Sequence, residues 1–365
     1  MANDKWQFLI TMSFKNILGH EGTIKKLKAL ICSGRVPPSL LFSGIEGVGK
    51  FLTAKEFAKA LNCTHTIPEE PKAEEELFGS SSKSVPESST LNPPPSDDAC
   101  DLCVSCSQTA KGVHPDVRVI DSEFQGLLLD EDSQKQKTLR IDTVREFTRH
   151  VYQKAVLSAW KIFIINDAHT LNINAQNAML KILEEPPPNT IFILIAAKKN
   201  LLLPTIISRS YAIEFRSLSP AAVEELLARA GMAPDEASAM GELSGGSMKK
   251  ARDIKKIRDR LAAITADGPQ KIFKLVSSLP REPYMAREEA KIMLDMLLVS
   301  SRKIWLAQPH GNTAAAHAAL IRKLLQYRRF LNQNVSHGLV LEAALLESAK
   351  LSVSFLGPRA QTSRT

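Results

Sequence analysis

The spacing of apolar residues changes character along the chain. Residues 22–33 put Ile24, Leu27, Leu30 and Ile31 on one side of a short predicted helix that Pro37-Pro38 ends. Ser39–Ser43 (SLLFS) predicts a buried strand, a glycine turn follows, and Phe51–Cys63 returns to helical spacing with Leu52, Phe57, Ala60 and Leu61 as core positions. Val117–Ile120, Lys161–Ile165 (KIFII) and Ile191–Ala196 predict further strands. Leu139–Val151 and Ala175–Glu184 predict helices, the second stopped by Pro186-Pro187-Pro188. Strands that are apolar throughout, separated by helices, imply a parallel sheet covered on both faces.

After Ser219-Pro220 no strand-like run survives, and helical segments are expected near 221–231, 234–243, 248–265, 268–278, 284–306, 313–333 and 337–354. Gly245-Gly246 and Ser277–Pro283 punctuate them. The expected organisation is an α/β domain over 1–217, a small helical domain over 218–266 and a helical C-terminal domain over 267–365.

Composition interrupts this plan at one place. Residues 64–99 hold six Pro, seven Ser and eight acids with Phe78 as the one aromatic, which reads as a flexible insertion. The segment carries a net charge of −6, so the rest of the chain carries +14 of the overall +8. From Lys271 on, 14 Lys/Arg face six Asp/Glu. Such a surplus permits nucleic acid or an acidic partner without identifying either. Basic pairs such as Lys25-Lys26, Lys249-Lys250 and Arg328-Arg329 read as solvated helix faces, and no interleaved aromatics mark a base-stacking surface. Five cysteines in 365 residues exclude a disulfide scaffold. The longest purely apolar stretch, Ile191–Ala197, is far too short to span a bilayer, and the first twenty residues lack a signal-peptide core, so a cytoplasmic protein is expected.

Candidate chemistry begins at Gly44-Ile45-Glu46-Gly47-Val48-Gly49-Lys50-Phe51. This matches G-x-x-x-x-G-K between a predicted strand and helix, the context of a phosphate loop. Gly44, Gly47 and Gly49 would let backbone N–H groups close around an anion, and Lys50 would reach the β and γ phosphates. A tight glycine turn in another α/β protein is the plainer alternative. Position 51, where a Ser or Thr hydroxyl would coordinate Mg²⁺, is Phe, and Thr53 is expected to point elsewhere. The strand 161–165 ends in Asn166-Asp167 where an acidic pair would hold metal and polarise water. That pair reads as a degenerate metal site or as a strand-to-turn cap. ATP and Mg²⁺ are therefore doubtful cofactors of this chain.

Cys100-x-x-Cys103-x-x-Cys106 offers three soft ligands, and structural zinc takes four. Cys63, at the end of the helix before the insertion, is the best fourth, with His65 and His114 as alternatives. Reduced thiols without metal, or a redox pair, remain open. Cys32 reads as a core residue of its helix rather than a ligand.

The chain resembles the clamp-loader subunits of the bacterial replicative DNA polymerase (DNA polymerase III) within the AAA+ group, most closely the delta-prime type. The resemblance rests on Phe14–Gly19, the phosphate-loop region 38–61, Leu139–Phe147, the stretch 161–197, Leu203–Phe215 and Gly245–Ala251. Within these, AQNAMLKILEEPP followed by LPTIISRS is the most specific part. The resemblance implies a P-loop AAA+ α/β domain, a helical lid and a helical C-terminal collar for oligomerisation. It also implies a zinc module in place of the cysteine cluster, normally with a shorter first spacing than the one here. It makes Arg209, in Ser208-Arg209-Ser210, the counterpart of an arginine finger that serves the ATP of a neighbouring subunit, against the plainer reading of a surface arginine.

The ATP-hydrolysing members carry a polar sensor where this chain has Ala196-Ala197, and an arginine where it has Lys249. Phe51, Asn166, Ala196 and Lys249 depart from a working ATPase while Arg209 survives. The resemblance therefore implies a non-hydrolysing scaffold subunit. Its implied partners are gamma/tau and delta subunits and, through the assembled complex, the sliding clamp and primed DNA during replication. A gamma/tau-like motor and a zinc-stabilised nucleic-acid-binding protein with a relict phosphate loop are the competing expectations.

Overall fold

Strand residues that are apolar at every position need cover on both sides, and the chain supplies it. The computed structural model describes residues 13–64, 97–132, 138–263, 269–307, 310–333 and 335–351, so nearly all of the expected insertion 64–99 lies outside the described residues. The chain divides into two compact units, residues 1–222 and 223–365.

In the first unit, β1 (Ser39–Ser43), β2 (Val117–Ile120), β3 (Lys161–Ile165), β4 (Thr190–Ala196) and β5 (Tyr211–Glu214) form one sheet in the order β2-β3-β4-β1-β5. Every pairing is parallel. Successive side chains point to opposite faces, so each strand feeds two cores. Leu40, Phe42, Ile162, Ile164, Ile191 and Ile193 pack in one core with α1 (Glu21–Cys32) and α2 (Lys50–Leu61). Leu41, Phe163, Ile165, Phe192 and Leu194 pack in the other with α5 (Ile141–Val151), α6 (Ile173–Glu184) and α7 (Pro204–Ser208). Phe163 stacks on Phe192 with ring centroids 5.6 Å apart at the centre of that second core.

Local chemistry sets the helix ends. The Asn172 side chain accepts the Ala175 N–H at 2.8 Å to start α6, and Pro204 occupies the first turn of α7. The cysteine segment folds as α3 (Val104–Lys111), and α4 (Ser122–Leu129) is capped by Asp121, which accepts the N–H groups of Glu123 and Phe124 at 3.0 Å.

One expectation for α1 is corrected. Cys32 is exposed, because the buried stripe of the helix is Ile24, Leu27 and Ile31, and position 32 falls on the side of Lys25 and Lys28.

The second unit contains helices alone among its described residues. The boundary falls within α8 (Pro220–Arg229), and α9 (Pro234–Leu243), α10 (Met248–Ala263), α11 (Pro269–Ser277), α12 (Pro283–Ala307), α13 (Asn312–Phe330) and α14 (His337–Lys350) follow. The long α12 buries Ala286, Ala290, Met293, Leu294 and Leu297 and packs along α13 and α14. Asp295 on α12 accepts Lys250 of α10 at 3.0 Å and Arg328 of α13 at 2.6 Å. No described helix in either unit is long and apolar enough to cross a membrane.

Candidate functional site

Helix α2 follows directly from β1, and the candidate site residues lie at its two ends. At the first end, Gly44 has φ 148°, and an added Cβ would lie 2.2 Å from the Phe215 carbonyl oxygen, so only glycine fits there. Gly49 caps α2 with φ 102°. Lys50 is buried and donates to the carbonyls of Gly44 and Ile45, both at 2.6 Å. Burial pushes its ammonium below the usual lysine range against the opposing pull of Asp167 and Glu46.

The sheet brings the end of β3 and the end of β4 to this loop. Gly44 donates its N–H to the Ala196 carbonyl at 3.3 Å, and Asn166 donates its N–H to the Ile120 carbonyl at 2.9 Å. Asp167 adopts a left-handed conformation with φ 51° and lies 4.0 Å from His169. His169 Nδ1 accepts the Ala197 N–H at 3.4 Å. Asn166, Asp167, Thr170, Asp121 and Thr138 line a cavity of about 260 Å³, which no residue of the glycine loop lines.

The donor set does not fit Mg²⁺-nucleotide hydrolysis. Phe51 offers no oxygen and packs partly buried on the core, with Lys55 Nζ 6.0 Å from its ring centroid. The next hydroxyl along the helix, on Thr53, donates to the Gly49 carbonyl at 3.0 Å.

Sequence reasoning missed His20. It is buried, its Nε2 meets the Val48 carbonyl at 2.8 Å, and its ring lies edge-on to Phe215 at 5.0 Å. A carbonyl accepts only, so Nε2 carries the proton. Burial holds the His20 pKa below the usual histidine value, outweighing the Val48 bond and Glu21.

At the other end of α2, Cys63 meets Cys106 of α3 and Cys100 and Cys103, which lead into that helix. The Sγ atoms of Cys63, Cys100, Cys103 and Cys106 all lie within 4.8 Å of one another and could hold a metal ion. Four sulfurs at about 2.3 Å from one zinc would stand about 3.8 Å apart, and Cys100 and Cys106 are already at 4.0 Å. Backbone N–H groups of Cys103 and Cys106 point at the sulfurs of Cys100 and Cys103, at 3.3 and 3.4 Å. Burial works against the Cys103 thiolate, yet the N–H groups of Cys106 and Thr64 bring its pKa down to about 6. Burial raises that of Cys106. Four soft donors in this arrangement fit a structural metal of the zinc type.

His114 does not join them. Its Nδ1 accepts the Asp116 N–H at 3.1 Å and its Nε2 meets Ser105 and Ser158 at 3.2 and 3.1 Å, so both nitrogens are taken by protein. Asp116 in turn accepts the N–H groups of Val156, Leu157 and Ser158 at 2.7–2.9 Å. His65 lies outside the described residues.

Arg209 sits apart from both ends. It follows α7, donates to the Thr205 carbonyl at 3.2 Å and pairs with Glu184 at 2.7 Å, with 37% of its side chain exposed. β5 starts at Tyr211 opposite Leu40, whereas the glycine loop leaves β1 after Ser43, opposite Glu214. At about 3.3 Å per residue, some 10 Å of strand therefore separates Arg209's edge of the sheet from the loop's edge. Ser210 donates to the Ile206 carbonyl at 2.8 Å and meets Ser39 at 3.0 Å. Gln176 of α6 joins the same neighbourhood, donating to the carbonyls of Leu171 and Leu201 and accepting the Leu203 N–H at 2.8 Å. Lys249 lies in the second unit, at the start of α10.

A family model described as "DNA polymerase III, delta subunit" matches residues 19–77 and 86–219, more than half of the chain. The gamma/tau subunit of DNA polymerase III from Mycobacterium tuberculosis is 31% identical over 261 residues, which cover 70% of this chain and 38% of that protein. The delta-prime subunit from Pseudomonas aeruginosa is 37% identical over 182 residues, 48% of this chain and 52% of that protein. The chain thus spans between about two fifths and a half of the length of these relatives. Among solved structures, a gamma subunit-related protein from Thermotoga maritima covers 90% of this chain and 99% of its own, with 14% identity and a TM-score of 0.39.

Proposed function

The chain belongs to the DNA polymerase III delta-subunit family, and from that premise we propose that it is a delta-prime-like subunit of the clamp loader that does not hydrolyse ATP itself. Its role is to present Arg209 to the ATP held by a neighbouring gamma/tau-type subunit, within an assembly that also holds a delta subunit and loads the sliding clamp onto primed DNA. The observation that carries this reading is the position of Arg209. It is half-exposed, held by Glu184 and the Thr205 carbonyl, and lies on the sheet edge opposite its own glycine loop. A half-exposed guanidinium at that end of the sheet is open to a phosphate that another chain supplies. Phe51 and Asn166 support the same division of labour, since the first lacks the hydroxyl and the second the carboxylate charge that Mg²⁺ needs. The four cysteines hold structural zinc in this reading, and the helices of 223–365 supply lid and collar.

The test is reconstitution with gamma/tau and delta subunits. A stable hetero-oligomer is expected, and Arg209→Ala should abolish the DNA-stimulated ATPase of the adjoining subunit while leaving assembly intact. Unchanged ATPase in that variant removes the assignment.

The similarity to gamma/tau subunits over 70% of the chain favours a second reading, an ATP-hydrolysing motor. Turnover by the isolated chain that disappears on Lys50→Ala would establish it.

A further inference from the structure

Two lysines of α2 and the cysteine just past its end face the cysteine segment. Lys55 and Lys59 are four apart and so lie along one side of the helix, and Cys63 follows two residues after the helix ends. Lys55 donates to the Ala110 carbonyl in the last turn of α3 at 3.0 Å. Cys63 contributes its sulfur to the four-thiol cluster. Between them Lys59, with 1% of its side chain exposed, pairs with Glu56 at 2.6 Å and with Asp101.

A fully buried ammonium is costly unless its partners are fixed, and a helix surface offers cheaper residues at such a position. Asp101 is also unusual. It stands between Cys100 and Cys103 in a left-handed conformation, φ 57°, at the turn that aims the first two sulfurs of the motif. Glu56 and Lys59 share α2, so the Lys59–Asp101 contact is the arm of the triad that crosses to the cysteine segment. The segment's entry is tied separately, where Asp98 accepts the N–H groups of Phe14 and Ala99 at 2.9 Å.

We propose that Lys59 is a positioning residue of the metal centre: through Asp101 it holds the Cys100–Cys103 turn against Cys63, so that the four sulfurs are gathered before a metal ion arrives. This rests on the reading that the four cysteines bind metal, and it adds a residue outside the ligand set. Partners that orient ligands typically contribute 10–100-fold to metal affinity. A buried pair that only steadied the fold would change the melting temperature and leave the affinity alone.

Asp101→Asn is the variant of choice, because Asn accepts the left-handed conformation and only the charge is lost. The measurement is Co²⁺ and Zn²⁺ affinity of the full chain by competition with a chromophoric chelator, together with the visible spectrum of the cobalt form. Affinity about 10–100-fold below wild type is expected, with the tetrathiolate cobalt spectrum retained. Lys59→Met should weaken binding by a similar factor, and Lys59→Arg, which keeps the cation, should recover part of that loss. If Asp101→Asn binds as tightly as wild type, the proposal is overturned, whatever its melting temperature. Should that variant fail to fold, Asp101→Glu displaces the carboxylate by one methylene; the proposal then requires weaker metal binding, and unaltered affinity overturns it. If wild-type chain binds no Co²⁺ or Zn²⁺, the metal reading itself fails, which is a different result from equal binding by wild type and variant.

Discussion

The two ends of α2 carry different sets of donors. At the Lys50 end the strand, positive-φ glycines, helix N-terminus and buried lysine that a phosphate loop would use are all in place. What is missing is a hydroxyl at position 51, which is Phe, and a carboxylate charge at position 166, which is Asn, and Lys50 donates to its own loop. At the Cys63 end all four donors converge, backbone N–H groups point at the sulfurs, and buried charges tie the segment to the helix. The contrast separates scaffold from chemistry. A fold retains a loop because the sheet and its cores need the turn, whereas a metal site survives only as a complete ligand set.

Removing one thiolate gives the largest expected effect. Cys106 is fully buried in the cluster, and a structural zinc site is worth about 10–16 kcal/mol of apparent binding energy. Cys106→Ser should take zinc content from one per chain to near zero and sharply lower the thermal midpoint, read by metal analysis and circular dichroism. Full zinc retention in that variant would place both ends of α2 on the same footing and break the contrast.

Next in size is the effect expected at Arg209, in the trans role proposed for it. An arginine finger supplied in trans is worth about 10³–10⁵ in kcat at the site it serves. Arg209→Lys keeps the charge but not the planar fork, so the reconstituted loader should recover only a small part of what Arg209→Ala loses. Equal rates for the lysine variant and wild type would mean that any surface cation suffices there.

A smaller effect tests the phosphate-loop end directly. Lys50→Met removes the donor that serves the carbonyls of Gly44 and Ile45, so a stability loss of about 1–3 kcal/mol is expected in chemical denaturation. Nucleotide turnover by the isolated chain should be absent in both proteins. Turnover in wild type and its loss in the variant would reverse the assignment of this end.

Much of this contrast was legible before any coordinates. SLLFS, KIFII and IFILIA are strands because runs apolar at every position can only be buried on both faces, and the glycine spacing fixed the loop between β1 and α2. The four cysteines were legible because thiols at short spacing carry chemistry in their identity. Helix α4 was not, since Leu127 is 87% exposed and the segment shows no apolar stripe; nor was β5, where Tyr211 and Glu214 face solvent. Residues that hold the sites in place were also missed. Lys59 on Asp101, Glu184 on Arg209, Gln176 on Leu203 and Asp116 on the 156–158 turn all act across tertiary contacts, and a polar side chain gives no periodic signal of its distant partner. Only the spacing of Lys55, Lys59 and Cys63 left a trace, and it needed α3 opposite to give it meaning.

The smallest effect uses pH to compare the two ends. His20 braces the phosphate loop through Val48, and His114 braces the cysteine segment through Ser105 and Asp116; burial depresses the pKa of both below 6.5. The unfolded chain therefore takes up protons near pH 6.5 before the folded one does. Stability is fully present above that value and falls as the pH drops from about 6.5 toward the folded-state pKa values, at about 1.4 kcal/mol for each unit of depression. Zinc release in acid has the same sign, so the test compares variants rather than absolute curves. His20→Gln and His114→Gln should each flatten the stability profile between pH 6.5 and 5, measured by denaturant unfolding. Protonating His114 also destroys the acceptor for the Asp116 N–H, whereas His20 keeps its donor to Val48 in either state. The flattening should thus be greater for His114→Gln, at the end of α2 where the site is complete; a larger change for His20→Gln would show the phosphate loop to be the more tightly specified of the two.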